Sequence, residues 1–73
     1  MKKPKFYVGQ SVVVDHGKEV GMYAISRASF ENDKWTYYAV EGSEVTYLQE
    51  DRIIYYYQDG NWQSNSAGSR VAL

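Results

Sequence analysis

Hydrophobic and polar positions alternate along this chain in short runs, separated by glycine and small polar clusters. The runs are Phe6 to Val8 and Ser11 to Asp15, broken at Gly9-Gln10, then Val20 to Phe30, Lys34 to Glu41, Glu44 to Leu48 and Ile53 to Gln58. Between them lie His16-Gly17-Lys18-Glu19, Glu31-Asn32-Asp33, Gly42-Ser43 and Gln49-Glu50-Asp51-Arg52. The runs are rich in Val, Ile, Tyr, Trp and Thr, residues that suit a pleated, half-buried surface. No window repeats its apolar positions at spacings of three and four, which speaks against a long amphipathic helix. The pattern predicts an all-β domain of five short strands, as a small barrel or two packed sheets. The polar break at Gln49 to Arg52 predicts a short helical turn before the last strand.

Gly42-Ser43 makes the sharpest local prediction. Glycine first in a two-residue loop suits a type II′ turn, whose twist matches the flanking strands. Such a turn pairs Val40 with Val45 and Tyr38 with Tyr47, and places Glu41 opposite Glu44. These four apolar residues then share one face, with Trp35, Tyr37, Ala39, Thr46 and Leu48 on the other. The continuous charge-free patch of Tyr38, Val40, Val45 and Tyr47 is the expected core, together with Val12, Val14, Tyr23, Ile25 and Ile53. Gly9 and Gly21 are expected at bends or bulges.

Composition narrows the chemistry. The 73 residues allow one small domain, and twelve aromatic rings (eight Tyr, two Trp, two Phe) supply much of what it can bury. With no Cys and one His, disulfides, thiolate metal sites and Cys nucleophiles are excluded, and His-based catalysis has few routes. His16 beside Asp15 lacks the further partners that acid-base work needs. Adjacent Glu50 and Asp51 read as caps of the helical turn rather than a carboxylate pair. Metal binding would need more ligands than Asp15, His16 and Glu19 supply. The expectation is a chain without catalytic residues, metal or cofactor.

No apolar run approaches the roughly 20 residues that a membrane span requires. The start, Met1-Lys2-Lys3-Pro4-Lys5-Phe6, has charge but no apolar stretch behind it, unlike a signal peptide, so a cytoplasmic location is expected. The expected layout is a basic arm at 1–5, the barrel at 6–62, and a flexible tail at 63–73 that is small and polar until Val71-Ala72-Leu73.

What remains is recognition. If Tyr38 faces inward, Trp35 and Tyr37 form an outward aromatic stripe, which Tyr56, alternating against Tyr55 and Tyr57, extends. Exposed Trp and Tyr are enriched where proteins meet partners. A protein-binding module using a sheet edge and the face of Trp35, Tyr37, Tyr56 and Trp62 is therefore the leading expectation. The bland alternative is that these rings cover the open ends of the barrel or pack under the tail and Trp62. A second reading has the rings stacking bases while Lys2, Lys3, Lys5, Arg27 and Lys34 hold phosphates. The net charge of −1 disfavours it, because backbone contact needs a concentrated basic surface. A third is a self-assembling subunit whose tail reaches a neighbouring copy.

Several stretches are similar to a known family. They are Phe6-x-Val8-Gly9-Gln10-x-Val12-Val13-Val14, His16-Gly17, Val20-Gly21-x-Tyr23-x-Ile25, Trp35-x-Tyr37-Tyr38-x-Val40 and Tyr47-Leu48-x-x-Asp51-Arg52-Ile53. Over residues 6 to 57 this order resembles SH3-like small barrels of the Tudor and KOW kind. Among these it is most similar to the N-terminal, RNA-polymerase-interacting domain of CarD-type transcription regulators. The resemblance implies a five-stranded SH3-like barrel, a bacterial or phage accessory protein linked to transcription, and RNA polymerase as partner, met through an exposed strand edge. The sequence departs from that family, which usually has a Pro near the His-Gly turn and a second glycine closer to it: here Asp15 precedes His16, and Lys18-Glu19 intervenes before the second glycine. The family's helical DNA-binding domain has no counterpart here, so DNA binding is not implied.

Overall fold

The computed structural model describes residues 3–65, and they form two antiparallel sheets. The strands are β1 (Ser11–Asp15), β2 (Val20–Ala24), β3 (Arg27–Glu31), β4 (Lys34–Glu41), β5 (Glu44–Leu48), β6 (Ile53–Gln58) and β7 (Asn61–Ser64). A 3-10 turn at Glu50–Arg52 precedes β6. One sheet has the order β2-β1-β6-β7 and the other β3-β4-β5. The all-β expectation holds, as does the helical turn. The five strands expected are seven, and no closed barrel forms among the described residues.

Turn chemistry explains three of the connections. Gly42 has φ +65 while Ser43 stays out of the left-handed region, as a type II′ turn requires. The expected register follows: Glu41 faces Glu44, Val40 faces Val45 and Tyr38 faces Tyr47. Asn32 and Asp33 both have positive φ, as do Asp59 and Gly60, so two further hairpins close on type I′ geometry. The Asp59-Gly60 turn adds β7, a strand not expected from the sequence. Gln63 and Ser64 therefore belong to the sheet, and Asn65 is fully buried. The rest of the expected tail, 66–73, lies outside the described residues, as do Met1 and Lys2.

The single run expected from Val20 to Phe30 is divided at Ile25-Ser26. Ile25 is held by the first sheet's side of the molecule: its N–H donates to the Gln10 carbonyl at 2.9 Å, and its carbonyl accepts from the Gly9 N–H at 2.7 Å. Ser26 turns to the second sheet, donating its N–H to the Tyr38 carbonyl at 2.8 Å and accepting the Val40 N–H on its hydroxyl at 2.9 Å. One residue thus hands the chain from sheet to sheet. Gly21 lies in regular pairing opposite Val14, not at the expected bend. The ring of Tyr23 folds over it, so close that a Cβ there would lie 2.8 Å from the Tyr23 hydroxyl.

The core contains Val12, Val14 and Ile53 from the first sheet, Tyr37, Ala39 and Leu48 from the second, and Phe6 and Ile25 from the connecting segments. This corrects the expected face of the β4-β5 hairpin. The register is as expected, but Tyr37, Ala39 and Leu48 point inward while Val40, Val45 and Tyr47 are exposed and Tyr38 is half-buried. Both faces of this hairpin are apolar, so pattern alone does not choose between them. Of the five core residues expected outside this hairpin, Val12, Val14, Ile25 and Ile53 are buried, and Tyr23 packs against them.

Buried amides tie the ends together. Asn65 donates from Nδ2 to the carbonyls of Ile53 at 2.7 Å and Glu50 at 3.2 Å, and its Oδ1 accepts from Lys5 Nζ at 2.7 Å. Gln10 accepts the Tyr7 N–H and donates to the Tyr57 carbonyl. Asn65→Ala should therefore cost about 2 kcal/mol, because a buried carbonyl loses its donor. Urea unfolding checks this, with a fall in midpoint at constant slope expected. A loss too small to measure would show that the clasp holds nothing.

Candidate binding surface

The four residues expected to form one outward aromatic face are dispersed. Tyr37 is 0% exposed and lies in the core. Its hydroxyl accepts the backbone N–H groups of Lys5 at 3.1 Å and Phe6 at 3.3 Å. Trp35 is half-buried, packs against the core and stacks at a tilt on Phe30, with 5.2 Å between ring centroids. It also lines a shallow groove with Lys34, Tyr47, Gln49, Glu50 and Asp51. Tyr56 is half-buried with its ring edge-on to Phe6 at 5.2 Å. Of the four, only Trp62 is exposed, at 45%. The outward placement of Tyr37 is thus corrected: inverting the parity of β4 sends it into the core, while Trp35 and Tyr56 stay half-buried against that core.

The register instead assembles a face on the outside of the four-stranded sheet. Val13 stands opposite Met22 on one side and Tyr55 on the other. Tyr57 stands opposite Trp62, and their rings meet edge-on at 5.2 Å and 70°. Val20 faces Asp15 at the end of β2. Met22, Val20, Tyr55, Tyr57 and Trp62 are all exposed, and Asp15 is the one charged residue on this side of the four strands. Alternation within Ile53 to Tyr57 could not reveal this face, since both parities are apolar. The signal that could have found it is Asp59-Gly60, which dictates a tight hairpin and so brings Trp62 beside Tyr57.

The basic residues expected to hold phosphate do not converge on this face. Lys5 is committed to Asn65 and lies 5.8 Å from the centre of the Phe6 ring. Arg27 and Lys34 belong to the other sheet, at opposite ends of the β3-β4 pair. Lys3 is exposed in the incoming segment, and Lys2 lies outside the described residues.

His16 Nε2 and the Tyr23 hydroxyl are hydrogen-bonded at 2.7 Å, with the rings edge-on. Asp15 accepts the Gly17 N–H at 2.8 Å, closing the loop on itself. Among the described residues no group of three or more His, Cys, Asp or Glu is placed to hold a metal, and no helix is long and apolar enough to cross a membrane. No protein-family model, curated protein or solved structure matches the chain.

Burial raises the Tyr37 phenol above its ordinary value, against the lowering effect of the two backbone N–H groups it accepts, and the Glu50 charge raises it further. A raised folded-state value favours the neutral phenol, so its contribution is complete below the unfolded value and is lost as pH rises through the folded one. Tyr37→Phe should reduce the fall in stability above about pH 10. At neutral pH it should cost about 1–3 kcal/mol, since Lys5 and Phe6 lose their acceptor. Urea midpoints of both proteins from pH 7 to pH 11 check the two effects, and parallel curves would contradict the first.

Proposed function

We propose that this chain is a non-catalytic protein-binding module that receives its partner on the outer face of the four-stranded sheet. The observation that carries the reading is the row of exposed Met22, Tyr55, Tyr57 and Trp62 around Val13, with one charge at its margin. Contiguous apolar exposure of this kind is uncommon on a surface that meets only water. Trp and Tyr give large contact area for few rotatable bonds, and interface centres are poor in charge.

The SH3-like reading of the fold belongs to the same proposal. Its support is the pairing of β1 with β6, the 3-10 turn immediately before β6, and the bend at Ile25-Ser26 that lets β2 and β3 serve different sheets. A bacterial or phage role in transcription, with RNA polymerase as partner, rests on the resemblance alone.

The test compares the wild type with the variant Tyr55→Lys/Trp62→Ala as immobilised baits in a nuclease-treated bacterial lysate. The wild type should retain a discrete protein, and the variant should lose it, as hot-spot rings commonly carry 2 kcal/mol or more, roughly a 30-fold change in affinity. The folded state should survive, since neither side chain is in the core. Retention of the same protein by the variant would move the site elsewhere. Tight binding of random oligonucleotides with a steep salt slope would replace the reading by the nucleic-acid one.

A further inference from the structure

We infer that two copies of this chain pair through their β3 edges, antiparallel across a twofold axis beside Ser29. Among the described residues the outermost strands of the two sheets are β2 and β7, and β3 and β5, each with one free edge. A free edge presents a row of unpaired backbone groups, and a strand is what satisfies them. The turn at Asn32-Asp33 makes Glu31 and Lys34 the first hydrogen-bonded pair of the hairpin. Glu31, Ser29 and Arg27 therefore direct their backbone groups at β4. Ala28 and Phe30 direct theirs outward, where no strand pairs with them among the described residues.

The sequence of β3 is Arg27-Ala28-Ser29-Phe30-Glu31. Read against itself in the antiparallel sense, it is its own complement. Ala28 meets Phe30 of the second copy and exchanges both backbone hydrogen bonds with it, and the twofold repeats this at Phe30. Arg27 then faces Glu31 of the second copy, and Glu31 faces Arg27, in the closely spaced pairs where cross-strand side chains interact best. Arg27, Ser29 and Glu31 lie on the outer face of the sheet, where they line a shallow groove with Tyr38, Val40 and Val45. In the single chain Ser29 Oγ donates to Glu31 Oε2 at 2.9 Å, an exposed contact that leaves the other carboxylate oxygen for Arg27 of the second copy. Arg27 and Glu31 are both exposed, and no ion pair engages Arg27 among the described residues.

The other free edges lack this property. β2 and β7 carry no charge to set a register, and β5, centred on Thr46, would place Glu44 against Leu48. Charge complementarity thus selects a second copy, at β3, as the occupant. The product is one continuous sheet of the two β3-β4-β5 units joined at their β3 strands, which leaves the aromatic face of the other sheet open. The inference does not depend on that face.

Sedimentation equilibrium on the full chain tests it, with Arg27→Glu and Glu31→Arg. The wild type should reach the mass of two copies as concentration rises into the millimolar range. Each single variant brings like charges together at both ends of the pair and should weaken self-association at least about tenfold. An equimolar mixture of the two variants restores opposite charges at every position, so it should dimerise where neither does alone. Ala28→Pro blocks the edge without touching charge, because its N–H is not used by β4, and it should be monomeric. A monomeric wild type throughout, single variants that associate as the wild type does, or a mixture that stays monomeric would each overturn the inference. Circular dichroism confirms folding, and should a charge variant fail to fold, Ala28→Pro alone decides.

Discussion

The phenol of Tyr37 is the constraint on which the arrangement turns. It is buried between the sheets and accepts the N–H groups of Lys5 and Phe6, the two residues that bring the chain into the core. Among the described residues no strand pairs with those donors, and a buried donor without an acceptor is costly. Once Tyr37 points inward to meet them, β4 has its parity. Ala39 goes in with it, and Leu48 follows through the hairpin register. Phe6 is brought edge-on to Tyr37 at 5.4 Å and caps the core. Tyr38, Val40, Val45 and Tyr47 are then left for the outside.

This is why the backbone was more legible in the sequence than the faces. The turn at Gly42-Ser43 has a local cause, a positive φ that glycine accepts, and its register follows by counting. The 3-10 turn likewise follows from a polar break between apolar runs. The side of β4 that is buried has no local cause. Trp35, Tyr37 and Ala39 are as apolar as Tyr38 and Val40, and the deciding partner, the backbone at Lys5 and Phe6, is some thirty residues away. A one-residue change of parity moves the whole set of side chains to the other face, so this single choice displaced Tyr37 from the expected site.

The strand at Asn61–Ser64 is hidden in the sequence for a different reason. Its residues are polar apart from Trp62 and all are exposed, so no alternation marks it. What holds it is the Asp59-Gly60 turn at one end and Asn65 at the other, where a single buried amide meets the 3-10 turn, β6 and the incoming lysine. Small polar residues look like tail by composition, whereas the turn chemistry at Asp59-Gly60 makes them a strand. The same weakness applied to Lys5, whose charge suggested a solvated arm although its ammonium and backbone are both used by the fold.

Outward aromatic rings in so small a domain have two claims on them. Tyr57 with Trp62, and Tyr38 with Tyr47 at 5.9 Å, are cross-strand pairs that stabilise their own hairpins by roughly 0.5–1.5 kcal/mol each. Their exposure alone does not mark a docking site, since the fold gains from them without any partner. Met22 and Val20 differ. They lie on a strand that is outermost in its sheet among the described residues, and they leave 64% and 58% of their surface in water. Their exposure brings the isolated domain no comparable gain, and they adjoin the aromatic pair through Val13 and Tyr55. The aliphatic half of the face therefore adds to the binding proposal what the ring pair alone does not supply, with Tyr55 joining the two halves into one row.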